Sequence, residues 1–201
     1  MIMGNVAHKA IEKHWDDRKE AVYYASKHND KLSLTDYNSI EHFVNTFFDN
    51  FAKLLNKDDM VEKYFKLPLE KNVYLVGKFD RISDGVIYDW KTNAKIPTNI
   101  DSNVQFIVYY HAYRKLFGKA PTATFFASLS QGVLIPFNYN QHYFDELFGK
   151  IVPEIIDNVR AGNFSKDGIF RSGACYRCQY KQDCLDKEDN NGMVSRTFAE
   201  K

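Results

Sequence analysis

An α+β fold, a central mixed sheet flanked by helices, is what the sequence predicts, and three observations predict it. Helical spacing of apolar residues fills the chain up to Lys57. Three β-branched and aromatic runs follow in series between 61 and 92, and a further helical stretch separates them from two more strand candidates.

From Asn5 to about Lys27, Val6, Ala10, Ile11, Trp15, Val22 and Ala25 recur at spacings that fit one helix. A second begins at "LTDY" and runs through "SIEHFVNTFFDNFAKLLNK", where Ile40, Phe43, Val44, Phe47, Phe48, Phe51, Leu54 and Leu55 make a broad apolar face. "VEKYFKLPLE" alternates as a strand does. "NVYLVGKFDRI" and "VIYDWKT", joined by "SDG", read as a hairpin. Asp101 or Ser102 caps a helix that runs through Leu116 and stops at Gly118, ahead of Pro121. "TATFFASL" and "GVLIPFNY" are strands on either side of Ser130 and Gln131, and an amphipathic helix from about Gln141 to Arg160 ends at Gly162.

Composition bounds the function. With 201 residues, 44% of them hydrophobic, the chain can bury a core in one domain, read here as 1–201, with 171–201 as a cysteine segment and polar tail. Lys plus Arg at 27 against Asp plus Glu at 26 leaves a net charge of +1, so any nucleic-acid contact must use local patches. No apolar run approaches the ~20 residues of a membrane span, and the N-terminus lacks a signal-peptide core, which together predict a cytoplasmic protein without membrane contact.

The hairpin carries the chemistry. With Asp84-Gly85 as a two-residue turn, Ser83 pairs with Val86, Ile82 with Ile87 and Arg81 with Tyr88, which sets Asp80 opposite Asp89. Opposed carboxylates destabilise a sheet unless something compensates. A hard divalent cation such as Mg²⁺ or Mn²⁺ does so, and Lys91, on the face of Asp89 by the two-residue period, would stand beside it. That arrangement reads as a phosphodiester hydrolysis site. The plainer alternative is a solvated edge, with Asp80 paired to Arg81 or Arg114.

"GKFDRI", "IYDWKTN" and "QFIVYYHAY" in this order resemble the PD-(D/E)XK nuclease superfamily, and within it the RecB-like exonucleases that include the CRISPR-associated adaptation nucleases. The resemblance covers roughly residues 4 to 184 and implies the restriction-endonuclease-like αβββαβ core, an order also read above for the middle of the chain. It implies that Asp80 and Asp89 are metal ligands and that Lys91 is the catalytic lysine. Gln105 and Tyr109 match the helix motif. "GNVAHKAIE" puts His8 on the family's metal-ligand histidine, with Gly4 and Glu12 on the same helical face. The implied activity is a Mg²⁺- or Mn²⁺-dependent exonuclease on DNA ends or single strands. Lys78, Lys95, Arg114, Arg171, Arg177 and Lys181 are candidate phosphate contacts.

"CYRCQYKQDC" brings Cys175, Cys178 and Cys184 together with the spacing C-x2-C-x5-C. It resembles the C-terminal triplet of the family's iron–sulfur members, which hold four cysteines. Three readings stand: an upstream segment supplies the fourth ligand of a 4Fe-4S cluster, a side chain such as His142 completes a Zn²⁺ or iron site, or the thiols are free. For the whole chain, a DNA nuclease is set against a non-catalytic nucleic-acid-binding or assembly subunit that keeps the fold.

Overall fold

The computed structural model describes residues 2–27, 32–93 and 95–162. The cysteine triplet, with Arg171, Arg177 and Lys181, lies outside them. Two compact units divide the chain, the first ending at Leu147 and the second beginning at Phe148.

In the first unit, α1 (Ile2–His14), α2 (Arg18–Ser26) and α3 (Leu34–Asn50) precede β1 (Met60–Glu70), β2 (Val73–Ser83) and β3 (Val86–Lys91). There follow α4 (Val104–Phe117), β4 (Ala123–Ser128), β5 (Val133–Pro136) and α5 (Gln141–Glu146). The single N-terminal helix expected from Asn5 to Lys27 is two. Asp17 interrupts it, because its carboxylate caps a new helix by accepting from the N–H groups of Lys19 and Glu20. The α3 cap is Ser33, in a reciprocal box with Asp36, and the α4 cap is Asn103 in place of Asp101 or Ser102. Gly118 ends α4 in the left-handed conformation, as the sequence predicts.

The five strands lie in the order β1-β2-β3-β4-β5, antiparallel except for the parallel β3–β4 pair that α4 connects. This is the mixed sheet with flanking helices expected from the sequence. One core joins α1, α2 and α3 to Tyr88, Trp90, Ala127 and Leu129. The other joins Phe65, Phe79, Ile82 and Ile87 to Tyr109, Ala112 and Tyr113 of α4. Aromatic rings make up half of the second core, and burying each ring stabilises by roughly 1.5–3 kcal/mol.

The last expected helix, to Arg160, is realised as α5, a π-helical turn over Leu147–Ile151 and α6 (Val152–Arg160). Pro153 has no N–H and crowds the carbonyl four residues earlier, which accounts for the wider turn before it. No helix of the described residues is long and apolar enough to cross a membrane.

Candidate active site

The hairpin turn is the one expected. Asp84 and Gly85 both have positive φ, 47° and 83°, as a two-residue turn of this hand requires, and Ser83, Ile82 and Arg81 pair with Val86, Ile87 and Tyr88. The ladder stops there, so Asp80 and Asp89 do not form the next pair.

The reason lies in β2. Phe79 and Ile82, three residues apart, both face α4, while Arg81 lies under the ring of Trp15, which directly follows α1, with its guanidinium 4.4 Å from the ring centre. The alternation skips one beat at Asp80. Opposite it on β1, Glu62 adopts a left-handed backbone (φ 50°), and the β1–β2 pairing passes from Val61–Arg81 to Lys63–Phe79 around these two residues. The Asp80 carboxylate turns into the opening between β2 and β3 and accepts a hydrogen bond of 2.9 Å from the Trp90 N–H. It does not pair with Arg81, whose side chain is buried on Asp59 (2.8 Å) and the Asn56 carbonyl (2.9 Å).

Asp89 is fully buried beneath α4. Its Oδ1 accepts from Gln105 Nε2 at 3.0 Å. The Tyr109 hydroxyl accepts from the same amide at 2.9 Å and has one hydrogen to give, to the Lys78 carbonyl at 2.8 Å or to Asp89 Oδ1 at 3.3 Å. Oδ2 meets the Lys91 ammonium at 2.6 Å and no other polar partner among the described residues. The two-residue period thus sets Lys91 beside Asp89, and the i, i+4 spacing sets Gln105 and Tyr109 on one turn of α4 over it.

His8 reaches the opening from α1, its Nδ1 3.6 Å from Asp80 Oδ2. The close approach of α1 needs Gly4, where a Cβ would stand 3.0 Å from Thr92 Oγ1. Beside His8 and Lys91 lies a cavity of about 400 Å³, lined also by Asn5, Phe43, Thr92 and Asn93. On the other side of His8, Glu12 and Glu62 line a small void with Asp80. Of these further lining residues, Glu12 stands out in the sequence on the helical face of His8, and Glu62 as a flank of the first strand that could shape the site; Asn5 lies one turn from His8 and Thr92 directly follows Lys91.

Burial dominates the electrostatics. It pushes Asp89 up to about 6, with the nearby Asp80 charge adding to the rise and Lys91 opposing it. Asp80 is raised chiefly by burial, against the Trp90 N–H and the charges of Lys91 and Lys78. His8 is lowered by burial, which favours the neutral imidazole that can bind a metal. Tyr109 is raised, again mainly by burial, and stays a hydroxyl donor at neutral pH.

A fully buried acid, a partly buried one and a neutral imidazole are a donor set suited to a hard divalent ion. The buried Asp89 oxygen that α4 leaves to the Lys91 ammonium, a cation already at the place an ion would take, fits that use. As it stands, no three His, Cys, Asp or Glu side chains among the described residues close around a metal. Lys91 occupies Asp89 Oδ2, and the Trp90 N–H occupies Asp80 Oδ2.

A family model for the PD-(D/E)XK nuclease superfamily matches residues 2–185. The chain belongs to that superfamily. Its members are nucleases, hydrolases of phosphodiester bonds, and generally employ divalent metals such as Mg²⁺. No curated protein and no solved structure matches the chain significantly.

Proposed function

We propose that this superfamily member is a Mg²⁺- or Mn²⁺-dependent deoxyribonuclease of the RecB-like kind, one nuclease domain acting as an exonuclease on DNA ends or single strands in the cytoplasm. The observation that carries the reading is the environment of Asp89: a fully buried carboxylate with one oxygen held by α4 and the other facing the Lys91 ammonium.

In this reading His8, Asp80 and Asp89 would hold the ion. When bound, it supplies an acidified water and neutralises charge on the phosphate. Gln105 and Tyr109 orient Asp89 by engaging Oδ1, which keeps Oδ2 directed toward the opening. The Trp90 N–H does the same for Asp80 through the main chain. Lys91, released from Asp89, would orient the attacking water and stabilise the negative charge that builds on the phosphate oxygens in the transition state. The cavity beside His8 and Lys91 gives room for the nucleotide that carries the scissile phosphate. Cys175, Cys178 and Cys184 would hold a 4Fe-4S cluster or Zn²⁺ apart from this chemistry.

The test is degradation of end-labelled single-stranded DNA with Mg²⁺, Mn²⁺ or EDTA. A mononucleotide ladder growing from one end only with metal supports the reading. Tight DNA binding with no cleavage under any metal would favour the non-catalytic subunit.

A further inference from the structure

The β1–β2 hairpin presents two unlike faces. Phe65, Leu67 and Phe79 turn inward and are buried. On the outer face the antiparallel register sets Tyr64 beside Lys78, Lys66 beside Val76 and Pro68 beside Tyr74. Tyr64 is 58% exposed, Tyr74 48% and Val76 55%. The Lys66 ammonium lies 4.1 Å from the centre of the Tyr74 ring, and Lys78, paired with Glu62, keeps half its side chain in water.

Rings and cations interleaved along some 13 Å of strand between Tyr74 and Lys78 form more exposed aromatic surface than an edge hairpin needs. The row ends two residues before Asp80, and the Lys78 charge is felt at both Asp80 and His8.

We propose that this outer face is a track for single-stranded nucleic acid, with bases stacking on Tyr64 and Tyr74 and phosphates meeting Lys66 and Lys78, leading the strand to Asp80. The inference rests on the nuclease reading for the purpose of the track, and on the hairpin alone for its ligand. The alternation selects the occupant. A single strand offers a base face and a phosphate in turn, whereas a duplex keeps its base faces stacked and would leave the rings without partners. The cations are the complement of its backbone.

The experiment measures binding of a fluorescein-labelled 20-nucleotide thymidine strand, and of a duplex of equal length, by anisotropy in EDTA at two salt concentrations. The parent is expected to prefer the single strand. The double variant Tyr64→Ala/Tyr74→Ala should bind it at least about tenfold more weakly, given what stacking on a ring contributes. Tyr64→Phe/Tyr74→Phe, which keeps the rings, should stay near the parent. Lys66→Glu should weaken binding and flatten its salt dependence. Tyr23→Ala, removing a tyrosine 52% exposed on α2, serves as the control and should bind as the parent does. Unchanged affinity in the alanine pair, or equal affinity for duplex, overturns the track; if the alanine pair fails to fold, the phenylalanine pair and Lys66→Glu decide. Hydrolysis of bis(p-nitrophenyl) phosphate by the parent with Mn²⁺, a substrate too small to need the track, separately tests the nuclease reading. Turnover without the binding pattern sinks the track alone, and the binding pattern without turnover sinks the nuclease reading alone.

Discussion

The two acids at the opening are held in opposite ways. Asp89 is gripped by side chains: Gln105 and Tyr109 of α4 on one oxygen, Lys91 on the other. Asp80 is gripped by main chain, through the Trp90 N–H, at a point where β2 loses its alternation. A carboxylate held by side chains can be detuned by changing its neighbours, whereas one held by a backbone N–H responds chiefly to its own replacement. The sheet gives up one paired step to bring the second acid into the opening.

The largest effects should come from the acids themselves. Asp89→Asn is expected to lower cleavage of single-stranded DNA by about 10³-fold or more, consistent with loss of an electrostatic group at the reacting centre, while the melting temperature in EDTA stays level or rises. Asp80→Asn should match it in activity and keep its fold, because the amide oxygen can still accept from Trp90. Unequal losses would show that only one of the pair belongs to the site.

Next comes the α4 grip. Gln105→Leu removes the donor to Asp89 Oδ1 and should cost roughly 10- to 100-fold in kcat, with the net loss of a charged hydrogen bond at about 1.5–3 kcal/mol. Tyr109→Phe should cost less, since its shorter bond is to the Lys78 carbonyl. A loss as large as that of Asp89→Asn would mean that Gln105 does more than position.

The smallest effect is in stability. The Asp89 pKa of about 6 lies above the ordinary carboxylate value near 3.9, so the folded state favours the protonated acid. Its contribution is therefore fully present below about pH 4 and is lost as pH rises through about 6. Without metal, the melting temperature of the parent should fall across that window relative to Asp89→Asn. Parallel curves would place the acid in a wetter setting than the one described.

Much of this was legible in the sequence because it follows from spacing. Asp84-Gly85 sets the hairpin register, the two-residue period sets Lys91 beside Asp89, and one helical turn sets Gln105 beside Tyr109. What was not legible depends on contacts between distant segments. The direct opposition of Asp80 and Asp89 fails because the β2–β3 ladder ends at Arg81–Tyr88, beside a left-handed Glu62 on β1. Arg81, a candidate partner for Asp80, is claimed by Asp59 from the segment before β1. The break at Asp17 is a capping contact that the apolar spacing on either side of it does not show. The cysteine triplet lies outside the described residues and stays an expectation.

In the proposed site His8, Asp80 and Asp89 share one ion, and Lys91 yields Asp89 to it. A crystal soaked in Mn²⁺, with diffraction recorded for anomalous scattering, tests this most directly. The expected result is a peak bonded to the His8 imidazole and to both carboxylates, with the Lys91 ammonium withdrawn from Asp89 Oδ2. A structure in which Mn²⁺ binds elsewhere, or in which the opening stays closed by the intact Lys91–Asp89 pair, would contradict it.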